Sequence, residues 1–179
     1  MHRLLGALLA LTALAACEEV PFGPAPSPPP RVYAPPPPPS APPDSFRESD
    51  FAWSTAAGAS RVSGVLAYHG AGRYSCQSVL LAPETPWSRA RMQVLYLSDT
   101  AADVPADEAR ARTPPEHGAQ YARFVRQAPC DAAGHFTFAG LPSGPWFLIT
   151  VATPASGGTK IAIMRRVETH GEAVRVALR

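Results

Sequence analysis

Between Val20 and Pro43 the chain reads VPFGPAPSPPPRVYAPPPPPSAPP and holds 13 of its 22 prolines. A proline donates no backbone N–H and fixes φ, so this tract has no route into a helix interior or a sheet ladder. It is expected to be polyproline II or unstructured chain, reaching on the order of 70 Å at about 3.1 Å per residue. A spacer is favoured over a ligand for a proline-binding module. Any folded core must lie downstream, in residues 46–179.

Upstream, residues 1–17 read MHRLLGALLALTALAAC: His2 and Arg3, a short Leu/Ala-rich stretch, then small residues before a cysteine. This is a secretory signal, and it is too short to span a bilayer comfortably. Leu14-Ala15-Ala16-Cys17 resembles the lipobox of bacterial lipoproteins, in which cleavage precedes a cysteine acylated on its thiol. The resemblance implies a signal peptide over 1–16, lipidation at Cys17, a lipid-bearing Cys17 and linker over 17–45, and membrane attachment without a spanning helix. Glu18 stands where an aspartate would favour inner-membrane retention, which implies a lipid-anchored outer-membrane location. Cleavage removes Arg3 and no acid, so 16 Lys+Arg against 14 Asp+Glu become 15 against 14. A charge near +1 gives no ground for a nucleic-acid partner.

Past Asp44, short apolar runs recur between turn residues: 61–68, 75–82, 120–127, 134–140, 146–153, 160–167 and 172–178. Each reads as a strand, and their spacing predicts an antiparallel sandwich. In GHFTFAGLPSGPWFLITV, Phe136 and Phe138 share one face, Leu141-Pro142 ends the strand, and Gly144 supplies a positive φ at the turn. Trp146 and Leu148 then return to the core. Phe147, Ile149 and Val151 point the other way, so this strand is expected to be central and covered on both faces. Thr85-Pro86 is an N-cap and first-turn pair, and Trp87, Ala90, Val94 and Leu97 follow at helical spacing. That helix is the expected cover. If it lies elsewhere, Phe147, Ile149 and Val151 form a partner surface. The segment 99–119 is expected to be a mobile insertion with a short helix at 107–112.

The series Val62-Ser-Gly64, Ser78-Val79-Leu80-Leu81-Ala-Pro83-Glu-Thr85-Pro86, Gly134-His-Phe136-Thr-Phe138 and Leu141-Pro142-Ser-Gly144-Pro-Trp146-Phe-Leu148 resembles the carboxypeptidase regulatory-like domains, which are transthyretin-like. The resemblance spans roughly 58–179 and is weakest at 99–119; Trp146 replaces the family's usual tyrosine. It implies an all-β, Greek-key-type antiparallel sandwich of about seven strands with one short helix, and a non-catalytic role. Every residue of the Gly134–Leu148 core has a packing or turn reason.

Catalytic motifs are missing from the sequence. The residues three after His69, His117, His135 and His170 are Gly72, Gln120, Phe138 and Ala173, so the H-x-x-E pair of zinc carboxypeptidases is not formed. There is no G-x-S-x-G elbow and no phosphate-binding glycine loop. No enzyme, cofactor or metal site is expected. With Cys17 assigned to lipid, Cys76 and Cys130 remain as an even pair, expected to form a disulfide in an oxidising envelope; two separately buried thiols are the alternative. The leading expectation is structural or adhesive interaction with an envelope protein. The other expectations are a carbohydrate- or peptide-binding module using Trp87 or Trp53 as a platform, and an accessory subunit of an envelope assembly.

Overall fold

The computed structural model describes residues 45–179 apart from Ala71 and Pro115; the signal segment, Cys17 and the proline-rich tract lie outside the described residues. The domain is an all-β sandwich. Its strands are β1 (Ser60–Leu66), β2 (Tyr74–Ser75), β3 (Ser78–Pro83), β4 (Ala101–Pro105), β5 (Arg126–Pro129), β6 (His135–Leu141), β7 (Gly144–Pro154), β8 (Ile161–Thr169) and β9 (Ala173–Leu178). The order β6-β1-β9 makes one sheet; β4-β8-β7-β3-β5 makes the other, with β2 added against the end of β7.

Alternation builds the core between the sheets. Val62, Phe136, Phe138 and Leu178 from the small sheet meet Val79, Leu81, Trp146, Leu148 and Ile163 from the large one, all buried. Leu141 is fully buried where the β6–β7 turn begins. Two glycines are fixed by close approach. The Phe136 ring lies where a Cβ on Gly64 would stand, at 2.5 Å, which explains a glycine in mid-strand. Gly144 has φ +150°, and a Cβ there would meet the Trp53 ring at 2.4 Å.

A second core lies on the outer face of the large sheet. Ala82, Phe147, Ala162 and Met164 are covered by Met92, Leu95 and Tyr96 of α1 (Pro86–Tyr96), by Ala106 and Ala109 of α2 (Ala106–Ala111), and by Phe51 and Tyr121. Thr85 and Ser88 cap α1 reciprocally, with Ser88 N–H to Thr85 Oγ1 at 3.1 Å and Thr85 N–H to Ser88 Oγ at 2.8 Å. Glu84, just before this cap, is buried and pairs with both Arg89 of α1 and Arg166 of β8, fastening helix to sheet.

Several expectations need correction. The run 120–127 is not one strand: α3 (Gly118–Ala122) comes first and β5 begins only at Arg126. Tyr121, Phe124 and Val125 fit a helical period as well as an extended one, and packing of Tyr121 against Trp87 (4.9 Å) and Phe51 (5.8 Å) decides for the helix. The 99–119 insertion carries α2 at the expected place but also β4, an edge strand paired with β8 from Ala101↔Arg165 to Pro105↔Ile161. Its Ala, Asp and Pro have poor strand preference, so pairing with β8 imposes the conformation. The sandwich is also not wholly antiparallel. β1 runs parallel to β9, a pairing open to the first and last strands because no short turn joins them.

The buried face of α1 is also displaced from the expected one. Ser88, Met92, Leu95 and Tyr96 are buried, whereas Val94 and Leu97 are 49% and 65% exposed. Leu97 leaves the helix in the left-handed region at φ 56°, which turns its side chain out of the periodic stripe. Ser88 anchors the observed face by donating to Pro83 O at 2.9 Å.

Candidate functional site

The helical layer stops part-way along the large sheet, and β7 records where. On its outer face Phe147 is fully buried beneath the helices, Ile149 is half-buried, and Val151 is 41% exposed. The surface suggested by Phe147, Ile149 and Val151 is therefore corrected: Phe147 belongs to the second core, and only the Ile149–Val151 end is open.

That open end is the floor of a groove of about 430 Å³. Leu80 of β3 joins Ile149 and Val151 in the apolar floor, while Gln77, Ser78, Gln127 and Thr153 supply amide and hydroxyl groups. Gln127 Nε2 donates to Ser78 Oγ at 2.9 Å across the β3–β5 pair, which fixes the carboxamide at the rim. Thr150 donates its hydroxyl to Ser78 O at 2.7 Å, tying β7 to β3 under the floor. Arg110 and Lys160 form the opposite wall. The two are brought together because Ala106 N–H donates to Lys160 O at 2.9 Å, setting the start of α2 beside the entry to β8. Among the described residues lining the groove there is no carboxylate.

The fold has a solved counterpart. A candidate carbohydrate binding protein from Pseudomonas aeruginosa, known from a crystal structure, superposes with a TM-score of 0.50 at 19% identity, covering 74% of this chain and 96% of its own. At that identity the likeness shows the fold alone. No family model matches the chain, and no curated protein matches it.

Neither tryptophan expected as a platform lines the groove. Trp53 packs edge-on against Trp146 at 4.8 Å and covers Gly144, closing one end of the sandwich. Trp87 is half-buried, with Phe46 at 5.0 Å, Tyr121 at 4.9 Å and the Arg91 guanidinium 5.3 Å from its ring centroid. Both are half-buried and held by packing, and Trp87 lines a smaller pocket of about 190 Å³ with Val94 and Pro114, separate from the groove.

Among the described residues no group of three or more His, Cys, Asp or Glu side chains is placed to hold a metal ion. His135 shares its turn with Asp131, whose Oδ1 accepts from Ala133 N–H and His135 N–H at 2.9 and 2.8 Å while Oδ2 lies 3.0 Å from His135 Nδ1. Those bonds hold the Asp131 carboxyl below its ordinary range. This is a turn lock on an exposed strand end. The groove residues that sequence reading missed, Gln77, Gln127, Arg110 and Lys160, come from four separate segments. Outward parity on β7 was the only signal that pointed to their location.

Proposed function

We propose that this chain is a lipid-anchored envelope protein whose sandwich, related in design to the carboxypeptidase regulatory-like domains, binds glycans without turning them over. Exposure of Val151 between hydrogen-bonding side chains carries the reading: an open apolar floor rimmed by amides and hydroxyls matches a sugar ring, which has C–H faces and hydroxyl edges. The carbohydrate-binding description of the Pseudomonas aeruginosa fold neighbour supports the same class of ligand. Peptide capture by strand addition has less support at this sheet, because both of its edge strands end in proline, Pro105 on β4 and Pro129 on β5.

Attachment through Cys17 and the proline-rich spacer would hold the groove away from the membrane surface. A Cys17→Ser precursor is expected to lose labelled palmitate, and retention of label would refute the anchor. For the groove, glycan arrays probed with the mature protein should return ligands that Val151→Asp abolishes and Trp87→Ala leaves bound. The glycan reading fails if Val151→Asp, folded as judged by its melt, retains every hit.

A further inference from the structure

The groove is cationic on one wall, and no carboxylate is among the residues that line it. Lys160 is the only lysine in the chain and has no acidic partner among the described residues. The acids of α2 and β4 pair with arginines and not with Lys160: Asp107 with Arg110 of the same wall at 2.7 Å, Glu108 with Arg112 at 2.8 Å, and Asp103 with Arg165 at 3.0 Å. The Asp107–Arg110 pair is solvent-exposed on both sides, with side chains 90% and 75% accessible. Exposed pairs of this kind are worth about 0–1 kcal/mol, so Arg110 can exchange its partner for a ligand carboxylate at little cost. Two carboxamides, Gln77 and Gln127, complete the polar set.

From this charge complementarity we infer that the groove takes an acidic glycan, with a uronic-acid carboxylate received by Lys160 and Arg110 while the sugar ring lies on Leu80, Ile149 and Val151. The inference rests on the glycan reading and narrows it to carboxylated polysaccharides. Lys160 is the determinant, because its ammonium has no competing partner among the described residues, and Arg110 contributes the planar fork suited to a carboxylate. Binding must therefore weaken as salt rises.

The test is calorimetric titration of the mature protein with a galacturonate oligomer, a galactose oligomer of equal length, and a glutamate oligomer of equal charge. The galacturonate oligomer should bind tightest, and Lys160→Gln should weaken it about tenfold or more, the loss of one charge-assisted hydrogen bond. Lys160→Arg should restore most of the affinity, Arg110→Gln should produce a smaller loss, and binding of the galactose oligomer should not respond to any of the three. Lys160 is exposed, so its variants should melt with wild type. Equal affinity for the two sugars, or Lys160→Gln binding like wild type, overturns the acidic-ligand inference and leaves the glycan reading standing. Preference for the glutamate oligomer, or no sugar binding at all, overturns both.

Discussion

The indole N–H of Trp146 donates to the hydroxyl of Thr169 at 3.2 Å, and that hydroxyl lies 2.8 Å from Pro142 O and 3.1 Å from Gly144 O. Both side chains are fully buried, so one hydroxyl serves the hairpin carbonyls and the largest core side chain together. Thr169→Val keeps the shape and strands the indole donor, which should cost about 1–3 kcal/mol. Trp146→Ala opens a cavity as well and should cost about 3–5 kcal/mol. Denaturant unfolding measures both; equal losses would show that the hydrogen bond, not the ring volume, dominates.

Glu84 offers a second structural test. Its side chain is 3% exposed and sits between Arg89 and Arg166, themselves 51% and 29% exposed. Breaking a fully buried pair costs about 3–5 kcal/mol and an exposed one about 0–1, and partners that reach water place this clamp between the two. Glu84→Gln should therefore destabilise by about 1–3 kcal/mol, with hydrogen exchange rising first in α1. Unchanged exchange there would show that the cap and the apolar face hold α1 without the clamp.

High pH probes the second core. Burial pushes the Tyr96 phenol up to about 12 and raises Tyr121 further, with Arg91 opposing in both cases. A folded pKa above the unfolded value of about 10 favours the folded state fully below that pH, and the benefit is lost as pH climbs through the folded value. Stability should thus fall as pH rises above about 10, with the Tyr96 share lost by about 12 and the Tyr121 share declining beyond it, and below about pH 12 tyrosinate absorbance from both should appear only with unfolding. The Tyr121 hydroxyl is buried without a hydrogen-bond partner among the described residues, so Tyr121→Phe should match or exceed wild-type stability at neutral pH and soften the alkaline decline. A loss of more than about 1 kcal/mol would show that a hydrogen-bonded water occupies the site.

Where a single segment states its own structure, the sequence was readable. Phe136 and Phe138 alternate, Gly144 marks the turn, and Thr85-Pro86 announces α1; all of these are local signals. β4 was not readable, because Ala101, Ala102 and Asp103 become a strand only through β8. The buried stripe of α1 differs from the periodic one for two reasons: Leu97 occupies the left-handed region and lies outside the helix, and Val94 stays helical but exposed because Ser88, Met92 and Leu95 form the buried face. The groove was half legible: parity turned Ile149 and Val151 outward, but how far the helices extend over β7 is a tertiary fact. Its wall depends on sheet order bringing residues 110, 127 and 160 together.

The disulfide closes the domain around that same region. Cys76 and Cys130 are bonded with Cα atoms 5.8 Å apart and a sequence separation of 54. Cys130 N–H donates to Gln77 O at 3.0 Å, so the bridge sits where β3 and β5 begin to pair and beside Gln77 at the groove rim. Loop-closure entropy for 54 residues gives about 4 kcal/mol of stabilisation. Against a typical domain stability of about 5–15 kcal/mol this is a large share. Reduction, or the double change Cys76→Ser with Cys130→Ser, should lower the melting temperature sharply and weaken the proposed glycan binding even where the protein remains folded, because β5 and Gln127 lose their tether. Non-reducing peptide mapping of protein extracted from its native cells should return the Cys76–Cys130 pair; two freely alkylated thiols would show that the bridge does not form there, and that β3 and β5 are held by their backbone pairing alone.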